Sequence, residues 1–325
     1  MLITRAPFRV SFFGGGTDFY DYYSVYGGQV LSTTIDKYCH VMMRDLPPYF
    51  DYQNQLTYSV IERFDSPREA RHPLVRAALQ FIPTSRIQIN YDGDLPARSG
   101  IGSSSSFAVA LLYGLHKMHG ESVDRMTLAK EAIHLERDLC SESGGVQDQL
   151  AASFGGLNLI KMTAEDFEVC PVPIGQEIKQ RLQDNLILAF TGLTRFSGLV
   201  AEEQQKTIKD KTAVLHEMKA MSDDALHLLT TGQTDDFGRL LHEEWMLKRT
   251  LSSQITTGTI DTIYDQMRRA GAYGGKLLGA GSGGYLLLYI PFEQRRHFCE
   301  QFPAIRFVPF AFEDSGVRVI FESDE

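Results

Sequence analysis

The chain has little that would cross-link it. Its four cysteines, Cys39, Cys140, Cys170 and Cys299, lie far apart and form no Cys-x-x-Cys pair. That spacing signals neither a zinc site nor a disulfide framework, and it fits a reducing cytoplasm. Long hydrophobic runs are missing as well: nothing reaches the roughly 18 apolar residues of a membrane span. The N-terminus, with Arg5 and Arg9 among apolar residues, lacks the apolar core and small-residue cleavage site of a signal peptide, so none is expected. Positive charge is in the minority, 32 Lys and Arg against 41 Asp and Glu, for a net charge of -9. The balance argues against a nucleic-acid surface and leaves room for a local basic pocket around a small anion. No internal repeat and no low-complexity tail stand out. What remains is 325 residues, 43% hydrophobic and 22% charged, an ordinary globular composition long enough for two domains.

Glycine is plentiful, at 28 residues, and concentrated in a few stretches. The most informative is Leu95-Pro96-Ala97-Arg98-Ser99-Gly100-Ile101-Gly102, which runs into Ser103, Ser104, Ser105 and Ser106 and then into an apolar helix over 107–115. A serine is a natural N-cap there, and the helix start presents free N–H groups and partial positive charge, so an anion is the expected ligand. Gly100 and Gly102 would let the backbone approach it without a Cβ in the way. A flexible Gly/Ser linker is the alternative, but linkers do not run straight into an apolar helix. The stretch is not a Walker A loop, having no Gly-Lys-Ser/Thr.

Residues 1–13 read as a strand that stops at Gly14-Gly15-Gly16-Thr17-Asp18. That stop is either a hairpin turn or a ligand loop whose glycine N–H groups form an anion nest. Strands are expected over 28–43, 56–61 and 86–91, and helices over 72–81 and 125–138, the second with Glu131 and Glu136 near its end. In 141–156, Asp148 follows the pair Gly144-Gly145. It is either a helix cap or a functional carboxylate oriented by Gln147 and Gln149. The pattern loosens around Pro171 and Pro173, which suits a domain boundary near 175. Beyond it come a strand over 185–190 ending near Arg195, and amphipathic helices over 198–222, 235–251 and 260–270. Gly274 to Gly284 feeds a strand over 285–290, and 307–321 reads as two edge strands.

Three of these stretches, in this order, resemble the motifs of the GHMP kinase superfamily (galactokinase, homoserine, mevalonate and phosphomevalonate kinases). They are Arg5-Ala-Pro-Phe-Arg-Val-Ser-Phe-Phe-Gly-Gly-Gly-Thr-Asp18, Pro96-Ala-Arg-Ser-Gly-Ile-Gly-Ser-Ser-Ser-Ser106 and Lys276-Leu-Leu-Gly-Ala-Gly-Ser-Gly-Gly284. The resemblance implies an α+β, two-domain fold: a ribosomal-protein-like N-terminal domain over 1–175 with a left-handed βαβ crossover, and a ferredoxin-like C-terminal domain over 176–325. It implies ATP and Mg²⁺ as cofactors. Pro96, Gly100, Ile101, Gly102 and Ser103 to Ser106 would hold the phosphates, and Ser104 and Glu136 the metal. Glu136 stands one residue further from Asp148 than the family spacing, so a one-residue insertion is expected in 138–143. Asp148 becomes the base that takes the substrate hydroxyl proton, Arg9 faces the transferring phosphoryl, and Asp18 is a sugar-hydroxyl ligand. Gly144, Gly145 and Gly281 complete the implied substrate side.

Gly15 and Gly16 stand where galactokinases carry a glutamate and a histidine, which opens space for a longer or phosphorylated sugar. Gly-Gly-Gly-x-Asp and Gly-Lys-Leu-Leu-Gly-Ala-Gly are similar to the loops of heptose 7-phosphate kinases, which phosphorylate the anomeric hydroxyl on the way to nucleotide-activated heptose for surface glycans. The expectation is therefore a cytoplasmic sugar 1-kinase with no nucleic-acid or membrane partner; a homodimer is left open. Arg195, Lys248, Arg249 and the amides of Gly14 to Gly16 are the expected cradle for a distal phosphate. Kinases of galactose- or fucose-like sugars, kinases of an isoprenoid or amino-acid alcohol, and a non-catalytic sugar and ATP sensor of the same fold are the competing readings.

Overall fold

The computed structural model describes residues 1–193 and 197–323, apart from the side chains of 197–199. The chain opens with strand β1 (Leu2–Phe13), helix α1 (Tyr20–Tyr26) and the long strand β2 (Gly28–Asp45). The hairpin β3 (Asn54–Thr57) and β4 (Ile61–Phe64) leads to α2 (Pro73–Phe81) and β5 (Ile87–Gly93). Helices α3 (Ser103–Met118), α4 (Arg125–His134) and α5 (Gln147–Phe154) precede the hairpin β6 (Leu157–Met162) and β7 (Phe167–Pro171). Next come α6 (Gln176–Asp184), β8 (Leu186–Phe190) and four helices, α7 (Ser197–Thr207), α8 (Thr212–Thr230), α9 (Thr234–Lys248) and α10 (Gly258–Arg269). The chain ends with β9 (Gly274–Leu277), β10 (Tyr285–Tyr289), α11 (Phe292–Glu300), β11 (Arg306–Val308) and β12 (Arg318–Glu322).

The first sheet runs β12-β1-β2-β5-β3-β4, with β6 and β7 attached beside β2. Strand β2 is long enough to serve two partners: its first half pairs with β6 and its second with β5, while β1 lies along its other edge throughout. The β1–β2 register shifts at Pro7/Phe8 and again at Ser11/Phe13, on either side of Arg9. Proline lacks the N–H that a ladder needs, and such irregularities re-aim side chains next to functional sites. The second sheet is antiparallel, with order β11-β8-β10-β9. Numbered within that domain, this is 4-1-3-2, the ferredoxin-like arrangement. The fold is thus the expected α+β, two-domain one.

Several element boundaries differ from the sequence expectation, for identifiable reasons. Residues 56–61 straddle the β3–β4 turn, closed by Tyr58 N–H on Val60 O at 2.9 Å. The helix expected over 198–222 breaks after Thr207 with no Gly or Pro to mark it; Thr207 Oγ1 reaches Leu251 O at 3.0 Å, a tertiary contact. The expected helix over 125–138 ends at His134 and continues as a π turn, Leu135–Leu139. The two closing strands are edge strands of different sheets, β11 beside β8 and β12 beside β1. Helices α1, α6 and α11 and strands β6, β7 and β9 had no sequence expectation. Among the described residues no helix is long and apolar enough to cross a membrane.

The two halves share apolar contacts. Phe12 and Phe13, at the end of β1, meet Phe237 of α9 edge-on, with ring centroids 5.3 and 5.1 Å apart. Helix α9 also lies close on β9, because Gly238 and Gly274 leave no side chains between them: a Cβ on Gly274 would sit 1.9 Å from Gly238 O. A Cβ on Gly238 would sit 2.5 Å from the Tyr289 ring. That ring cannot retreat, since its hydroxyl donates to Asp235 Oδ1 at 2.8 Å and accepts from Asn185 Nδ2 at 2.7 Å. Gly238→Ala is therefore expected to lower stability by about 1–3 kcal/mol, the usual cost of overpacking. It should appear as a lower urea midpoint with an unchanged slope.

Candidate active site

The site forms where four loops meet. Arg9 projects from β1 between the two register shifts, and its guanidinium makes a two-pronged contact with Asp148. Nε lies 2.7 Å from Oδ1 and Nη2 lies 2.7 Å from Oδ2. The third prong, Nη1, donates to Gly100 O at 2.6 Å, and Arg9 N–H donates to Ile101 O at 3.1 Å. Both members of the pair are shielded, with 6% of the Arg9 side chain and 21% of the Asp148 side chain exposed. A two-pronged guanidinium–carboxylate contact is among the stronger and better oriented polar contacts available to a protein.

Asp148 sits in the first turn of α5 but does not cap it; the cap position is Val146. Its neighbours serve other carboxylates than the one they were expected to orient. Gln147 Nε2 donates to Asp18 Oδ2 at 2.8 Å, and Gln149 Nε2 donates to Glu136 Oε2 at 2.5 Å. The orienting group for Asp148 is Arg9.

The phosphate-loop stretch leads into α3 as expected, with one correction. The N-cap is Gly102 in the left-handed conformation, with φ of 75°, and no serine side chain caps the helix. Ser104 is exposed at the helix start, while Ser103, Ser105 and Ser106 are buried. Ser106 Oγ donates to Pro7 O at 2.9 Å, so that hydroxyl faces the sheet. Pro96 O accepts from Ser99 Oγ at 2.5 Å and holds the turn. The glycines here make room for protein. A Cβ on Gly100 would sit 2.5 Å from Leu278 O, and one on Gly102 would sit 3.2 Å from both Arg9 Cγ and Asp148 Oδ2.

Glu136, 1% exposed, lies in the π turn, whose defining bond is Cys140 N–H to Leu135 O at 3.0 Å. A π turn holds one residue more than an α turn, and such turns cluster at functional sites. This turn begins just ahead of 138–143, where the resemblance led to the expectation of an inserted residue. Glu142 follows, its carboxyl pushed up by burial and by the Glu136 charge.

Asp18 is 2% exposed. Burial, and then the nearby Asp148 charge, push its carboxyl above the usual range, against the pull of the Gly16 N–H and Gln147. The loop 141–146 wraps it: Val146 N–H donates to Asp18 O at 3.1 Å, and a Cβ on Gly145 would sit 1.7 Å from Asp18 Oδ2. Gly144 packs on the Arg137 guanidinium. The nest expected at Gly14 to Gly16 is largely used up internally. Gly14 N–H donates to Glu244 Oε1 at 3.1 Å and Gly16 N–H to Asp18 Oδ1 at 2.9 Å. Both need glycine, with φ of 79° and 98°.

The distal basic set does not assemble as expected. Lys248 is buried and donates to Leu277 O and Gly279 O at 2.8 and 2.6 Å. Arg249 pairs with Asp261 at 3.1 Å and lies over Trp245. Gly281 packs on the Ile255 backbone. Arg195 lies outside the described residues. Beside the Gly14 to Asp18 loop, α7 brings Gln205 Nε2 to Asp21 Oδ2 at 2.7 Å. A cavity of about 350 Å³ opens there, lined by Asp21, Glu202, Gln205, Lys206 and Lys209.

Two family descriptions match the chain, "GHMP kinases N terminal domain" over residues 70–156 and "GHMP kinases C terminal" over 225–303. The chain belongs to the GHMP kinase family. Among relatives, it is 28% identical over 303 residues to D-glycero-alpha-D-manno-heptose 7-phosphate kinase of Campylobacter jejuni, covering 88% of each chain. It is 26% identical to L-fucokinase/L-fucose-1-P guanylyltransferase of Bacteroides fragilis, aligning 97% of its own length with 38% of that protein. It thus spans well under half of that longer protein. It superposes along its whole length on a solved D-glycero-D-manno-heptose 1-phosphate kinase from Bacteroides thetaiotaomicron, with a TM-score of 0.82 and 22% identity.

Sequence reasoning gave no role to Glu244 or Lys276, although a charged residue in Gly-Gly-Lys-Leu-Leu, entering an apolar strand, is a signal of a buried polar contact. It also missed Arg137, which donates to Gly145 O and Glu142 O and so shapes the wall around Asp18.

Asp18→Asn tests the electrostatics. Gln147 Oε1 is buried without a hydrogen-bond partner, so a flipped Gln147 amide can accept from the new Asn Nδ2. The folded-state carboxyl of Asp18 titrates above its unfolded value, so wild-type stability is favoured at low pH and falls as pH rises through the folded value. The variant escapes that loss. It should melt above wild type near neutral pH, with the gap closing as pH falls below the ordinary carboxylate range. A pH series of melting curves reads this directly.

Proposed function

We propose that the protein transfers the γ-phosphoryl group of ATP to the anomeric hydroxyl of a sugar, in the class of D-glycero-D-manno-heptose 7-phosphate, in the cytoplasm. The product would feed nucleotide-activated heptose for surface glycans. The observation that carries the reading is the Arg9–Asp148 pair lodged against Gly102 at the start of α3. A sensor needs an anion site and sugar ligands but no shielded carboxylate beside them. The 28% identity to the Campylobacter heptose kinase over nearly the whole chain supports the substrate class. We take 1–175 and 176–325 as the two domains, dividing where β7 gives way to α6.

In this reading the exposed Ser104, Ser103 and the N–H groups at the start of α3 receive the ATP phosphates, with the helix dipole in their favour. Mg²⁺ suits the donor set of Glu136 carboxylate and Ser104 hydroxyl, hard oxygens that leave positions for phosphate and water. It would supply charge neutralisation at the phosphates when bound. Asp18 accepts from sugar hydroxyls at the base of the Gly14 to Asp18 loop, the acceptor loop in this reading. Asp148 accepts the proton of the attacking hydroxyl; a carboxylate has about four lone-pair sites, so it can do so while Arg9 holds it. In this reading Arg9 stabilises the equatorial oxygens of the transferring group. Lys209 and Lys206, the latter paired with Glu202 at 2.6 Å, line the cavity beside Asp21 and take the distal-phosphate role that the buried Lys248 does not.

A coupled ATP-consumption assay over free and phosphorylated hexoses and heptoses tests the reading, with a heptose 7-phosphate expected to be the best acceptor. Preference for galactose or fucose would move the substrate class. Absence of acceptor-dependent turnover would leave the sensor reading in its place. Asp148→Asn should bind ATP as wild type does and lose about 10²–10⁴-fold in kcat, the usual worth of a general base. Turnover near wild type would remove Asp148 from the mechanism.

A further inference from the structure

Beneath the acceptor loop lies a charged cluster that the reaction as described does not use. Glu244 of α9 is fully buried, and its Oε1 accepts from Gly14 N–H at 3.1 Å and from Lys276 Nζ at 3.2 Å. Lys276, at the end of β9 and 1% exposed, also donates to Phe12 O at 2.6 Å. Lys248, one helical turn beyond Glu244, donates to Leu277 O and Gly279 O. Gly279 in turn lies against Gly100: a Cβ on it would sit 2.5 Å from Gly100 Cα. One face of α9 therefore grips the acceptor loop with a carboxylate and, through the third glycine loop, abuts the phosphate loop. Glu244 Oε2 is buried with no hydrogen-bond partner. Burial is costly for such charges: it pushes the Glu244 carboxyl up and both lysine ammonium groups down. Apolar side chains would fill the space more cheaply, so stability alone does not account for the cluster.

We propose that Glu244, Lys276 and Lys248 are positioning residues that set the distance between the acceptor loop and the phosphate loop across the domain boundary. The proposal rests on the kinase reading above. Transfer requires the acceptor oxygen and the phosphoryl group in near-contact, and an error of about 1 Å can cost about 10²-fold in rate. The cluster is buried and bound to backbone; it acts by holding the Phe12–Gly14 backbone to α9 and the Leu277–Gly279 backbone to the same helix.

The test uses Lys276→Met alone and the neutral pair Glu244→Gln/Lys276→Met in the full chain. The single variant strands the Glu244 charge and should melt well below wild type. The double variant removes both charges, keeps an amide oxygen for Gly14 N–H, and should melt within a few degrees of wild type. In that double variant kcat with the best sugar acceptor should fall about 10- to 100-fold and the sugar KM should rise. ATP affinity, measured by titration in the absence of sugar, should change less than about twofold. Amides of 12–18 should exchange with deuterated solvent faster than in wild type, those of α3 at the same rate. Wild-type kcat and sugar KM in the double variant would overturn the proposal. So would a drop in melting temperature or ATP affinity that accounts for the lost rate, since the role would then be structural. If no sugar stimulates ATP consumption by the wild-type protein, the kinase reading fails by itself, and the exchange data still decide whether the cluster pins the loop.

Discussion

The structure depends on backbone meeting backbone. Gly100 lies against Leu278 and Gly279, and Gly284 lies so near Ser99 that a Cβ would sit 2.2 Å from its carbonyl oxygen. Tyr285 N–H donates to Ser99 O at 3.1 Å, binding a C-terminal strand to the loop that leads into α3. No side chain could occupy these gaps. The loop leading into α3 is therefore held by the other domain's main chain as well as by its own helix, through contacts that a mutation to any larger residue would force apart. Arg9 completes the arrangement from the third side, spending one guanidinium prong on Gly100 O and two on Asp148.

Much of this was legible in the chain. Three glycine stretches in order, each beside a strand or helix, pointed to the family, and the family shape supplied the domain plan. The roles of the individual glycines were not legible. A sequence records that a side chain is missing, and says nothing of whether a ligand or another loop fills the space. At Gly100 the filler is Leu278, and at Gly145 it is the Asp18 carboxylate. For the same reason Gln147 and Gln149 were assigned to the carboxylate next to them in sequence. On a helix neighbouring residues point about 100° apart, so the two amides serve Asp18 and Glu136. Lys248 was expected to face a distal phosphate; only packing reveals that its neighbours are carbonyl oxygens.

The π turn carrying Glu136 is a local irregularity that sets where a buried carboxylate points. An extra residue in an α-helix would rotate everything after it by about 100° and shift the start of α5. The widened turn at Leu135–Leu139 follows α4, and Gln149 of α5 reaches the Glu136 carboxylate.

Strand β12 has a consequence for how the molecule is made. It pairs Leu2 with Glu322 and Arg5 with Arg318, so the outer edge of the first sheet is covered by residues that leave the ribosome about 300 positions later. Until then β1 presents an open row of N–H and C=O groups, the kind of edge that invites pairing with another chain. The nascent N-terminal half therefore spends most of synthesis with its sheet unfinished. Closing it is a contact of very high sequence separation, the sort that slows the final step of folding.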